Sequence, residues 1–229
     1  MKIPYERQHD SHNNRTCGAA ALTMVYRSLG LSCAQNELWD QIKSVDSFGG
    51  FYSKAHKLCL NSLEKGFDSV CFSAKDPIKA IKFCSKYSIN CILGHRQFIG
   101  SKFAHFTVLV YVKDEAVFIH DPELGSKKGR NREVLFGELL DLFKSDISQG
   151  DYIAENLIIV ITNKKANINK CNSCDENFPK IINCPNCNKL IPLSPSLIFG
   201  CFNPSCLENN IKNLYCPFCD AGLQFSRQK

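Results

Sequence analysis

Cys17 is followed by glycine and a run of small and apolar residues, Cys17-Gly18-Ala19-Ala20-Ala21-Leu22-Thr23-Met24-Val25, and this pattern predicts a helix that begins at the cysteine. A thiol in the first turn of a helix lies against unsatisfied backbone N–H groups and the positive end of the dipole, which favour the thiolate. Gly18, having no Cβ, would let a substrate carbonyl approach those N–H groups. A lone cysteine is more often a small core residue, so its partners decide the reading. His105 opens the apolar run Phe106-Thr107-Val108-Leu109-Val110, and Asp121 lies just beyond a second run, Ala116-Val117-Phe118-Ile119. The turn-like Lys113-Asp114-Glu115 lies between them, and a hairpin would bring His105 and Asp121 together. Gln8 precedes the cysteine. A nucleophilic thiol needs a base, the base needs an orienting carboxylate, and the developing oxyanion needs a donor such as an amide side chain. Gln8, Cys17, His105 and Asp121 supply one candidate for each role. The chemistry such a set would support is acyl transfer through a thioester.

Other side chains compete for these roles. His120 is adjacent to Asp121 and, on a strand, points to the opposite face. His95, in Leu93-Gly94-His95-Arg96-Gln97, follows an apolar strand-like run and could line the cleft, but a solvated loop residue is the commoner outcome; His9 and His12 are expected to be surface polarity in a loop that could cover the site. Cys33, Cys59, Cys71, Cys84 and Cys91 are scattered without ligand spacing and fit small core positions.

Periodicity predicts helices over 17–29, 35–43, 52–65, 77–87 and 132–144, and strands over 69–72, 90–93, 106–112, 116–119 and 157–161. Helices first and an antiparallel sheet later is an α+β layout, with the nucleophile's helix packed on the sheet that carries the base.

The segment from Gln8 through Tyr26-Arg27-Ser28-Leu29-Gly30, together with His105-Phe106-Thr107-Val108-Leu109 and the Asp121-Pro122 turn, resembles the papain-like cysteine peptidases of the bacteriocin-processing group, which remove double-glycine leader peptides. The resemblance covers the first domain, residues 1–163. It implies a papain-like fold, Cys17 as nucleophile, His105 as base and then acid, Asp121 as its orienter, Gln8 as oxyanion donor, and a peptide or protein substrate cut at a peptide or isopeptide bond, with a preference for glycine before the cut. The same constellation serves acyl transferases of the phytochelatin synthase type, and some relatives are non-catalytic peptide-binding modules; the latter lack the nucleophile.

Composition changes after residue 163. Eight of the 14 cysteines fall in 164–229, as Cys171-x2-Cys174, Cys184-x2-Cys187, Cys201-x4-Cys206 and Cys216-x2-Cys219. Such pairs place two thiolates on one tight turn, and two turns close a tetrahedral zinc site. Two structural Zn²⁺ ions are therefore expected, in a small C-terminal zinc-ribbon domain over 164–229 that has too few large apolar side chains to fold unaided. Equal gaps of nine residues from Cys174 to Cys184 and from Cys206 to Cys216 favour two sequential sites, one per repeat. A nested arrangement stays open, because Cys184 to Cys206 is also similar to topoisomerase-type zinc fingers.

The formal charge of +6 falls to about +2 once two tetrathiolate zinc sites of roughly −2 each are counted. That balance argues against nucleic acid as a partner. A protein partner is the better expectation for the ribbons. No apolar run approaches the ~20 residues of a membrane span, and Met1-Lys2-Ile3-Pro4-Tyr5-Glu6-Arg7 lacks the apolar stretch of an export signal. A cytoplasmic protein is expected, unless a signal-independent route exports it.

Overall fold

The structure is a computed structural model that describes residues 2–9, 15–46, 49–145, 154–163, 170–194 and 200–224. His12 lies outside the described residues. The elements are α1 (Cys17–Ser28), α2 (Gln35–Ile42), β1 (Lys43–Val45), β2 (Phe51–Ser53), α3 (Ala55–Glu64), β3 (Asp68–Ala74), α4 (Pro77–Tyr87) and β4 (Asn90–Arg96). They continue with β5 (Ala104–Lys113), β6 (Ala116–His120), α5 (Ser126–Gly129), β7 (Arg132–Leu135), α6 (Phe136–Phe143) and β8 (Leu157–Thr162). Beyond these come β9 (Ile181–Asn183), β10 (Leu190–Pro192), β11 (Ile211–Tyr215) and β12 (Gly222–Leu223).

An antiparallel sheet of eight strands in the order β12-β11-β3-β8-β4-β5-β6-β7 forms the centre. Both of its faces are covered. The central strand β8, Leu157-Ile158-Ile159-Val160-Ile161-Thr162, is therefore buried throughout. Alternate residues divide between two cores. Leu157, Ile159 and Ile161 join Ile92, Phe106 and Val108 against α1, α2 and α3. Ile158 and Val160 join Phe72 and Leu93 against Ile81 and Cys84 of α4 and Leu139, Leu142 and Phe143 of α6. This is the expected α+β fold of helices on an antiparallel sheet.

α1 is the central helix: every residue from Cys17 to Tyr26 is buried. Ala19, Ala20 and Ala21 let neighbours approach its axis, while Tyr26 Oη bonds to Asn61 Oδ1 at 2.8 Å and Ser62 Oγ at 3.0 Å, tying α1 to α3.

Two boundaries differ from expectation. The segment expected as one helix over 132–144 divides into β7, whose Arg132 pairs with Ile119 and Val134 with Val117, followed by α6. Edge pairing with β6 buries Val134 completely, and this tertiary gain overrides local helix preference. The helix expected from residue 52 begins at Ala55, because Phe51-Tyr52-Ser53 pairs with β1.

The cysteine-rich segment does not stand off from the sheet. β11 pairs with β3, Leu214 opposite Phe72 and Tyr215 opposite Cys71, and β12 pairs with β11. The eight cysteines form two tetrads, Cys171, Cys174, Cys201 and Cys206, and Cys184, Cys187, Cys216 and Cys219. The turns thus alternate, first with third and second with fourth. This corrects the sequential pairing and also differs from the nested one. Equal spacing of turns cannot report which strand order carries them, and here the chain crosses between sites three times. Sγ–Sγ separations of 3.8 Å (Cys171–Cys206), 3.4 Å (Cys174–Cys201), 3.7 Å (Cys184–Cys219) and 3.7 Å (Cys187–Cys216) are far beyond a disulfide's ~2.05 Å. They match the ~3.8 Å edge of a tetrahedron with metal–sulfur bonds of ~2.3 Å, so each tetrad can hold a metal ion.

Candidate active site

Cys17 begins α1, and the position that normally caps a helix is used differently here. Thr16 makes no side-chain cap; its hydroxyl instead donates to the His9 carbonyl at 2.9 Å. No acidic residue occupies the first turn. Among the described residues, the N–H groups beside the thiol thus have no side-chain acceptor from Thr16, and the first turn carries no acid to offset the dipole's positive end.

Gly18 has a role that sequence reasoning did not assign. A Cβ at this position would lie 2.2 Å from Ser53 Oγ, 3.1 Å from Ser53 Cβ and 3.3 Å from Leu58 Cδ1. The missing Cβ lets Ser53 of β2 and Leu58 of α3 pack closely against the start of α1.

His105 lies on β5 and Asp121 directly after β6, as the hairpin reading required. His105 Nε2 donates to Asp121 Oδ1 at 2.8 Å, and the two residues are 4% and 2% exposed. With Nε2 so engaged, Nδ1 is the nitrogen left for Cys17, with which the imidazole also hydrogen-bonds. Burial works against the imidazolium, but the bonds to Asp121 and Cys17 outweigh it and raise His105 to about 10. Burial likewise works against the Asp121 carboxylate, and it is overcome by His105 and Arg132, which hold the carboxyl well below the usual range. Arg132 Nη1 donates to Asp121 Oδ2 at 2.9 Å while Nη2 reaches Glu138 Oε1 at 3.1 Å. Arg132 was hidden from the sequence by the expected helix over 132–144; only its position on β7, opposite Ile119, brings it to Asp121.

Gln8 is held at the same place by its flanks. Its backbone N–H donates to the Pro122 carbonyl at 2.8 Å, beside Asp121, while its neighbour His9 is tied to Thr16, beside Cys17. Gln8 Oε1 is buried with no hydrogen-bond partner among the described residues.

The remaining histidines separate from the site. His120 faces away, as strand alternation predicted: Nε2 donates to the Ile3 carbonyl at 3.0 Å and Nδ1 accepts from the Asn131 N–H at 3.1 Å. His95 is not the solvated loop residue expected. It lies within β4, fully buried, in register with His105 and edge-on to it with ring centroids 5.8 Å apart. Its Nδ1 donates to the Arg96 carbonyl at 2.6 Å and its Nε2 accepts from Thr107 Oγ1 at 3.0 Å. Burial and the neighbouring His105 charge pull it down to about 4, so it stays neutral and packs against His105. His9 is exposed and bonds through Nδ1 to Asn36 Oδ1 at 2.6 Å. Cys59, Cys71, Cys84 and Cys91 are buried core residues as expected, and Cys33 is half-buried.

Cys17 opens into a cleft of about 870 Å³ with Ser53, Phe103, Phe106 and Leu157 among its walls. A buried thiol at a helix start, an imidazole paired with it, a buried carboxylate behind the imidazole and an adjoining cleft are the parts that thiol-dependent acyl transfer requires. Among the described residues no helix is long and apolar enough to cross a membrane.

Comparison with known proteins agrees with this geometry. The chain shares its fold with a C39-like peptidase from Bacillus anthracis, with 16% identity, a TM-score of 0.54, and 71% of this chain and 96% of that one covered. It is similarly related to the peptidase domain of Streptococcus ComA, a bifunctional ABC transporter of a quorum-sensing pathway, with 15% identity, a TM-score of 0.50, and coverage of 71% and 100%. No curated protein sequence matches the chain significantly. The model of the peptidase C39 family matches residues 2–135, which include Cys17, His105 and Asp121, and the chain is therefore a cysteine peptidase that belongs to the peptidase C39 family.

Proposed function

We propose that this protein hydrolyses a peptide bond with Cys17 as nucleophile, His105 as acid and base, Asp121 as the orienting carboxylate and Gln8 as oxyanion donor. The observation that carries the reading is the buried Cys17–His105–Asp121 line at the edge of the cleft. Arg132 keeps Asp121 ionised, Asp121 holds the imidazolium, and the imidazolium stabilises the Cys17 thiolate. The thiolate attacks the substrate carbonyl, and the oxyanion is received by the Gln8 amide and the Cys17 backbone N–H. His105 then protonates the leaving amine and afterwards accepts a proton from the water that hydrolyses the thioester. Cleavage after glycine is part of this proposal, carried over from the resemblance of the sequence to double-glycine leader peptidases.

Zn²⁺ is the ion we assign to the two tetrads, because four thiolates at this spacing suit it. With four protein ligands per site its role is structural. The test is mass-spectrometric analysis of a peptide mixture incubated with the reduced, zinc-loaded chain, with Cys17→Ala as control. Cleavage that disappears in the variant, and that favours glycine over alanine before the cut in matched peptides, supports the reading. Equal cleavage of the matched pair removes the glycine preference, and cleavage undiminished in Cys17→Ala overturns the assignment of the nucleophile.

A further inference from the structure

The cleft beside Cys17 has a wall that the family-defining region does not provide. Tyr215 and Asp220 line it, and both belong to the cysteine-rich segment, far beyond residue 135 where the family match ends. Tyr215 closes β11 and packs with the α1–α3 core, while Leu214 packs on the other face, so the sheet itself aims this turn toward the cleft.

Asp220 follows the second cysteine of the Cys216-x2-Cys219 turn. Its N–H donates to the Cys216 carbonyl at 3.0 Å, the Cys216 N–H donates to the Ala221 carbonyl at 2.9 Å, and its φ is 65°. The residues at the same place in two other turns, Asp175 and Asn188, have φ of 59° and 56°. That left-handed position suits aspartate, asparagine or glycine, so the turn alone does not demand a carboxylate. The carboxylate reaches elsewhere: Oδ1 lies 2.9 Å from Nδ1 of His56, and Oδ2 lies 3.6 Å from Nζ of Lys54. His56 is 8% exposed, and its Nδ1 lies against the carboxylate without an aligned hydrogen bond. Lys54 and His56 bracket the start of α3, immediately after Ser53, the residue that abuts Gly18. Physical contact therefore runs from the second cysteine tetrad through Asp220 to the residues packed on the nucleophile's helix.

We propose that the Cys216–Cys219 turn is a wall of the substrate cleft, with Asp220 as the positioning residue that holds segment 53–56, so that a peptide binds only when the tetrad of Cys184, Cys187, Cys216 and Cys219 is formed. The proposal rests on the peptide-hydrolysis reading above, and it replaces a separate protein partner for this turn by the substrate itself.

The experiment compares the full, zinc-loaded chain with Asp220→Asn and Asp220→Gly, both of which fit the left-handed position. Metal content, hydrogen exchange of the 53–56 amides, and KM and kcat on a cleaved peptide are measured. The expected result is two metal ions per chain in all three proteins, exchange at 53–56 faster by about threefold or more, and KM raised about tenfold with kcat within about twofold. Unchanged exchange and unchanged KM with metal retained would overturn the proposal. If the wild-type chain cleaves no peptide, the hydrolysis reading fails on its own, and the exchange comparison alone decides whether Asp220 holds the wall.

Discussion

The bond from His105 Nε2 to Asp121 Oδ1, 2.8 Å long and almost completely excluded from water, fixes which imidazole nitrogen faces Cys17. Because Arg132 engages the other carboxylate oxygen, the proton on Nε2 has one acceptor and the ring one orientation. Asp121→Asn keeps the shape but removes the charge. We expect kcat/KM to fall on the order of a hundredfold, and the alkaline limit of activity to move to lower pH, because the imidazolium loses its anionic partner. The sign for stability is the same. His105 is raised above its ordinary value of ~6.5, so its contribution is fully present below pH ~6.5 and is lost as pH rises through about 10. Urea midpoints measured across this window should lose part of that dependence in the variant, Cys17 supplying the rest; an unchanged slope would remove Asp121 as a source.

Gly18 and Ser53 make a second testable pair. Gly18→Ala forces a Cβ to 2.2 Å from Ser53 Oγ, with Ser53 Cβ and Leu58 Cδ1 close behind, and should destabilise the fold by about 1–3 kcal/mol. Adding Ser53→Ala removes the nearest atom and should recover part of that loss. Urea denaturation of the two single variants and the double variant measures the coupling, and strict additivity would show that the two residues do not meet.

The alternating tetrads predict a specific metal stoichiometry. Cys171→Ser with Cys206→Ser removes two ligands of one tetrad and none of the other. Bound zinc should fall from about two ions per chain to about one. Sequential pairing would place those cysteines in different sites and leave neither intact, so a fall to zero with the sheet still folded would contradict the alternating arrangement. Removal of both metals by a chelator should also loosen β11, whose partner β3 would then expose its edge.

The helix starting at Cys17, the hairpin that joins His105 to Asp121 and the four paired-cysteine turns were legible because each is a local pattern: a small-residue helix start, two apolar runs around a turn, and close cysteine spacing. α4 is matched end to end for the same reason, since Pro77 at its first turn and the Asp76 cap, which accepts from the Lys79 N–H, mark its start. What escaped depends on distant segments meeting. Arg132 becomes a partner of Asp121 only because β7 pairs with β6. His95 is buried only because β4 lies between β5 and β8. The alternation of the tetrads depends on how the chain crosses between the sites, which spacing does not encode. The arrival of Asp220 at the cleft depends on β11 joining β3, and no run in the sequence announces that pairing.

The central claim is that Cys17 is an activated thiolate paired with His105. It is tested most directly by mass-mapped alkylation with iodoacetamide of the reduced, zinc-loaded chain across pH, in wild type, Cys17→Ala and His105→Ala. The account predicts one thiol that reacts well below pH ~8, where an ordinary cysteine begins to ionise. That thiol maps to Cys17 and loses its low-pH reactivity without His105. Labelling of Cys17 no faster than an ordinary thiol, or labelling indifferent to His105, would contradict it.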